Sequence, residues 1–334
     1  MKERSEVLNE SNEVVEKSKV KIDFRYLLNK FGALLGLILL SIVLTIMTPN
    51  FLKIDNLMNI ARQSSINAIV SMGMLLPILT AGIDLSVGSI LAFSIVVTGI
   101  ATVTWGLPPV LGIFICLGVG ALAGLLNGLL LTKLRLPHPF ISTLGTMNVF
   151  RGLALIVTGA TPIFGFAYVI NFAGQAELGV FPVSFILVIL LSVIFHIFLT
   201  RTQTGRYIYA IGGNREAARL SGIPVDRVLL IVYTLSGFMA GLAGLVLIGR
   251  TDAASPIAGL MYELDAIAAV IIGGASFFGG VGTVWGTLIG ALIIAVLRNG
   301  LNLLGTSTDV QTVVIGIVIV LAVYVDVLRR RARN

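Results

Sequence analysis

Residues 183–200 read VSFILVILLSVIFHIFLT, residues 201–227 read RTQTGRYIYAIGGNREAARLSGIPVDR, and residues 228–249 read VLLIVYTLSGFMAGLAGLVLIG. A polar, basic loop thus separates two unbroken apolar runs, each close to the roughly 20 residues that cross a bilayer as a helix. The middle of the loop predicts a short helix of its own. Asn214 can cap its start by accepting from an orphan backbone N–H. Glu216 falls in the first turn and Arg219 toward the last, which matches the helix dipole at both ends. Gly222 tolerates the positive φ of a helix stop, and Pro224 follows. Such a helix is presented either to a partner or to the lipid surface. It is short and its apolar face is small for stable interfacial binding, which favours a partner.

The same pattern extends along the chain. Hydrophobic residues make up 57% and charged residues 12%, about half the charge of a soluble domain. Lipid offers no water to unpaired backbone groups, so only helices or a closed barrel span it. Long unbroken apolar runs are unlike the alternation of a barrel. The expected fold class is therefore all-α and polytopic, with about ten transmembrane helices near 31–48, 63–80, 86–104, 109–131, 140–157, 182–200, 228–249, 262–273, 284–297 and 310–327. We expect a disordered N-terminal tail over 1–30, a membrane domain over 31–328 with the loop 201–227, and a basic C-terminus over 329–334. No cleavable signal is evident at the start. Cys116 is the only cysteine and sits in an apolar run, where it reads as an inert buried thiol.

The net charge of +7 sets orientation rather than nucleic-acid binding. With ten spans both termini share a side. Eighteen of the 23 Lys and Arg residues fall there, on the tail, on Lys133 and Arg135, on the loop and on the C-terminal run. The positive-inside rule places that side in the cytoplasm.

Two glycine-rich stretches break the apolar pattern at membrane depth: GIDLSVGS at 82–89 and GGASFFGGVGT at 273–283. Each is either a tight turn or part of a transport pathway, and Asp84, Ser86, Ser276, Phe277 and Phe278 are the candidate pathway or gate residues. Asp84 also stands where it can cap the following helix, as can Glu263 and Asp265 for theirs. Gly120, Gly124 and Gly128, and likewise Ser236, Ala240 and Gly244, recur at helix-packing spacing. No catalytic constellation assembles. There is no phosphate-cradling GxxxxGK[ST] loop, no GxSxG elbow, and His138 and His196 are not spaced as a metal pair. The chain is expected to be a non-enzyme that binds no metal or cofactor.

The stretches AGIDLSVGSILA (81–92), TLGTMNVFRGL (143–153), YAIGGNREAARLSGI (209–223), YELDAIAAVIIGG (262–274), GGVGTVWGTLIG (279–290) and NGLNLLG (299–305) together resemble the membrane permease subunits of bacterial simple-sugar ABC importers, the ribose/galactoside/arabinose branch. The ribose permeases look closest. The resemblance implies a permease fold of the vitamin-B12-importer type, a second copy of the chain, a separate cytoplasmic ATPase that holds ATP and Mg, and a separate periplasmic or lipid-tethered sugar-binding protein. It implies a multi-pass location in the bacterial inner membrane and a monosaccharide cargo, ribose first, with another pentose, a galactoside or autoinducer-2 as alternatives. It also implies that Asn214, Arg215, Glu216, Ala217, Ala218, Arg219, Leu220, Ser221 and Gly222 form the coupling helix that seats on the ATPase. The main rival is a self-sufficient secondary sugar carrier. That reading expects a carboxylate or histidine deep in the bundle.

Overall fold

A computed structural model describes residues 24–136 and 138–331. The disorder expected for the tail lies outside them over 1–23, as do residues 332–334 of the basic C-terminus. The helices are α1 (Phe24–Met47), α2 (Ile54–Leu79), α3 (Val87–Gly99, prolonged by a π-turn over Ile100–Thr104), α4 (Pro109–Thr132), α5 (Pro139–Thr158), α6 (Tyr168–Gln175), α7 (Val183–Arg201), α8 (Gln203–Gly213), α9 (Arg215–Leu220), α10 (Val225–Thr251), α11 (Tyr262–Ile272), α12 (Val284–Leu303) and α13 (Thr308–Arg331). Two short strand pairs, β1 (Ile163–Phe164) with β4 (Ala253–Ala254) and β2 (Glu177–Leu178) with β3 (Phe181–Pro182), tie loops at one end of the bundle. The opposite end carries α8 and α9 and is called the loop end below.

Every one of the ten expected spans falls on a helix. Among the described residues, seven helices are long and apolar enough to cross a membrane. The other three expected spans differ for separate reasons. The apolar part of α1, Gly32–Met47, is shorter. In α2, the polar run Arg62, Gln63, Ser64, Ser65 and Asn67 dilutes the hydropathy. The second half of α2 is nonetheless buried in protein, so it needs no lipid-compatible surface. Helix α11 has only 11 residues, about 16 Å at 1.5 Å per residue and half of a bilayer core. The glycine-rich break that follows it, 273–283, lies not at membrane depth but at the loop end, against the end of α2 and α8, with Phe277, Phe278 and Val281 exposed.

The most extensive helix contact is between α4 and α10. A Cβ placed on Gly124 would lie 2.2 Å from the Tyr233 carbonyl oxygen, and one on Gly120 would lie 2.5 Å from that of Gly237. The glycine row of α4 thus packs as its spacing predicts, but its partners are Gly237 and Gly241. The row Ser236, Ala240, Gly244 faces elsewhere: Ser236 meets Gly73 of α2 and Gly244 meets Ile95 of α3. Lacking a hydrophobic drive between helices in lipid, such pairs gain their stability from close van der Waals contact. Helices α2 and α3 then fill the centre, and α3 is buried over almost all of its length.

Gly124→Val should destabilise the protein by at least about 1–3 kcal/mol, the cost of overpacking a closed contact. Gly118→Val, with open space beside it, serves as the control for helix propensity and should melt near the wild type. Thermal unfolding in detergent followed by size-exclusion chromatography reads the difference.

Candidate functional site

The helix expected inside the polar loop is α9. The Asn214 side chain accepts from the Ala217 backbone N–H at 2.9 Å. Gly222 adopts φ +80°, and the Gly222 and Ile223 N–H groups return to the carbonyls of Arg219 and Ala218. These bonds cap both ends of a helix too short to persist alone. Ala218 is its one buried residue and roots it in the bundle. Arg215, Glu216, Ala217, Arg219, Leu220, Ser221 and Gly222 are exposed. Leu220 is 82% exposed, a large apolar side chain offered at the tip of a charged helix.

A second helix in the same loop, α8, is the feature that sequence reading missed. Thr202 caps it, accepting from Gly205 N–H at 3.0 Å. Its buried positions Gly205, Ile208 and Ile211 recur every three residues, the one periodic signal that marks it. Helix α8 ends on a junction of backbones. A Cβ on Gly212 would stand 1.8 Å from the Leu79 carbonyl oxygen, at the end of α2. That same carbonyl accepts from the Gly280 N–H at 3.0 Å. Gly279 and Gly280 take φ of +86° and +72°, and Gly279 packs on Ala81 and Gly212. The Tyr209 hydroxyl donates to the Gly282 carbonyl at 2.9 Å, and burial pushes the Tyr209 phenol up, so it remains a donor. The loop helices, the end of α2 and the second glycine break are thereby joined as one unit.

The first break starts at that junction and runs inward. Asp84 and Ser86 are fully buried. Asp84 Oδ1 accepts from the Ser86 N–H (3.1 Å) and hydroxyl (2.5 Å), and Oδ2 accepts from the Ser236 hydroxyl (2.9 Å). Asn127 donates to the Ser86 hydroxyl at 2.7 Å. Thr143 receives the Leu85 N–H and donates to the Ile83 carbonyl. Asp84 therefore closes the turn before α3 rather than capping the helix, whose N-cap Ser86 has no side-chain cap bond, and it ties that turn to α4 and α10, while Thr143 ties it to α5. The Tyr233 hydroxyl, pressed on Gly82, is buried and has no hydrogen-bond partner among the described residues. It borders a cavity of about 250 Å³ that reaches Asn214 and Arg215 at the start of α9.

The other candidate residues lie apart from Asp84. Ser276 and the Phe277 N–H both bond to Asp326 of α13, at 3.3 and 3.1 Å. Phe277 and Phe278 are exposed. The two breaks meet through Ala81 and Gly279, whereas their polar and aromatic side chains do not converge. The capping expected of Asp265 gives way to an ion pair: Arg298 donates to both of its oxygens at 2.8 and 2.7 Å. Arg151, within the stretch TLGTMNVFRGL, holds the 255–261 segment by donating to the Pro256 and Ala258 carbonyls. Among the described residues no group of three or more His, Cys, Asp or Glu could hold a metal ion. The arrangement links α8 and the start of α9 by backbone contacts to the end of α2 and to the second glycine break.

At the far end of the bundle, β1–β3 and α6 form a surface with exposed Phe164, Tyr168, Phe172, Leu178 and Phe181. Arg62 pairs with Glu177 across it, and Asp252 receives the Phe166 N–H and the Asn171 side chain.

Comparison with known proteins adds the following. The family described as "Branched-chain amino acid transport system / permease component" matches residues 56–323. The ribose import permease protein of Bacillus subtilis (strain 168) is 47% identical over 316 residues, 94% of this chain and 98% of that protein. The ribose import permease protein of Escherichia coli (strain K12) is 43% identical over 300 residues, 88% and 92% of the two chains. The D-allose transport system permease protein of Escherichia coli (strain K12) is 41% identical over 311 residues, 92% and 94%. No solved structure matches.

Asp84→Ala removes the acceptor for Ser86 and Ser236 and should lower stability by about 1–3 kcal/mol, as expected when buried donors lose their partner. Asp84→Asn keeps an acceptor oxygen and should cost less than half as much. Thermal denaturation of the purified chain ranks the two.

Proposed function

This chain belongs to the permease-component family just described, and from that membership we propose that it is the membrane subunit of an ATP-driven sugar importer, with ribose as its cargo. The observation that carries the proposal is similarity along nearly the whole chain to permeases named for ribose and D-allose import, at 41–47% identity. The family description names amino acids, but it spans a wider set. The near-full-length relatives are the narrower guide to cargo.

In this reading the loop end faces the cytoplasm, where the excess of Lys and Arg belongs. Helix α9 seats on a separate ATPase, which binds ATP and Mg²⁺. Exposed Leu220 supplies the apolar anchor, and Glu216 with Arg219 fixes register by charge. Because α8 is joined at Gly212 to the end of α2 and to the second break, movement of α9 tilts both breaks together. Two copies of the chain enclose the pathway and open alternately to either side of a bacterial plasma membrane. A separate binding protein delivers sugar to the aromatic surface at the far end. The pathway then needs no tight sugar site of its own, because selectivity resides in the binding protein. The buried polar groups of the first break, Asp84 and Ser86, are consumed by internal hydrogen bonds, and Asp265 is consumed by its pair with Arg298, which supports this division of labour over a self-sufficient carrier.

Glu216→Lys should reduce sugar-stimulated ATP hydrolysis of the reconstituted importer to about a tenth or less, since a misplaced interfacial charge costs more than about 1.4 kcal/mol. Ala217→Trp should do the same by bulk. Both variants should melt like the wild type, since both side chains are exposed. Undiminished stimulation in either would count against α9 as the contact. Mass spectrometry of what co-purifies with the tagged chain should recover an ATPase and a sugar-binding protein.

A further inference from the structure

A basic concavity lies beside α9, between it, the start of α10 and the turn that follows α4. Its volume is about 740 Å³. Arg135, Arg215, Arg219 and Arg227 line it, together with Glu216 and Asp226. None of the four guanidiniums takes part in an ion pair among the described residues, where the pairs are Arg62–Glu177 and Arg298–Asp265. The two acids leave the lining with a net positive charge. Arg135 adopts φ +53°, a left-handed backbone that a side-chain-bearing residue rarely takes and that costs free energy unless its surroundings hold it. The turn thus spends strain to keep an arginine at this rim.

From these observations we infer that the concavity is a binding site for a phosphate-class anion, and that its natural occupant is the headgroup of an anionic phospholipid. Several guanidiniums around one space suit the tetrahedral oxygens of a phosphate, because each presents a planar fork of donors. The place selects a lipid source over a soluble one. The concavity sits where α4 stops at Thr132 and α10 starts at Val225, the depth at which spanning helices give way to polar loop. Leu131, Leu136 and Ile223 give it apolar walls, and neighbouring Leu134 is 66% exposed. Cation clusters at that depth on the cytoplasmic side attract acidic lipids. A bound headgroup bridges α9 to the ends of α4 and α10 and so sets the angle at which α9 is presented. The binding itself belongs to this chain alone and does not rest on the importer reading.

The test uses the full chain purified in detergent, with phosphatidylglycerol and phosphatidylcholine offered together and retained lipid counted by native mass spectrometry. Wild type should retain phosphatidylglycerol in preference, and the double variant Arg135→Gln/Arg227→Gln should lose that preference by about tenfold or more. Lys53→Gln, at the opposite end, should keep it. Retention that survives added inorganic phosphate identifies the lipid headgroup. Displacement by inorganic phosphate supports the anion site and assigns it to a soluble ligand. Should the double variant not fold, the melting temperature of the wild type answers instead: phosphatidylglycerol or phosphate raises it, and chloride at equal ionic strength does not. Equal retention in wild type and double variant overturns the proposal. So does a wild type that binds neither anion, and a concavity occluded only when the ATPase is added would then belong to that protein contact.

Discussion

Helices α4 and α10 touch backbone to backbone, and the positions of the other buried elements follow from that contact. Gly120 and Gly124 on one helix and Gly237 and Gly241 on the other leave no room for a Cβ. In lipid this closeness is what holds two apolar helices together, since neither gains by leaving the hydrocarbon. It also brings Asn127 of α4 and Ser236 of α10 to either side of Asp84. Asp84, the most buried carboxylate among the described residues, is thus satisfied by neighbouring Ser86 together with residues that the crossing brings in.

Where the breaks in the helices are buried, protein must close them, because no water can pair with their backbone there. The first is closed by Asp84, Ser86 and Thr143. The second is closed by Leu79, by Asp326 and by the Tyr209 hydroxyl. Both closures meet at Ala81 and Gly279, directly beneath Gly212. The glycines there serve close approach rather than looseness, so α8 is a stiff link between the exposed helix and the interior.

Local features were legible in the sequence, and distant partnerships were not. The ten apolar intervals fall on helices because hydropathy over a span is a property of consecutive residues. Helix α9 was legible down to its cap, since Asn214, Glu216, Arg219 and Gly222 act within a single turn of themselves. Helix α8 was overlooked because its buried face, Gly205, Ile208 and Ile211, is narrow and glycine-bearing. The half-length of α11 depends on where the following glycines fold, which is a tertiary matter. The partners of Arg151 and of Asp265 were not legible although both residues lie in quoted stretches, because those partners come from distant segments. Ser276, Phe277 and Phe278 shared a composition with a gate, yet the bundle sets them against α13 and away from Asp84.

The account makes one central claim: the chain moves sugar only when an ATPase pushes on α9. Uptake of labelled ribose into proteoliposomes tests it most directly, comparing the purified chain alone under an ion gradient with the chain plus its ATPase, its binding protein and ATP. The account predicts uptake in the second case only, and none when the ATP is replaced by a non-hydrolysable analogue. Ribose uptake by the chain alone, driven by the gradient, would contradict it.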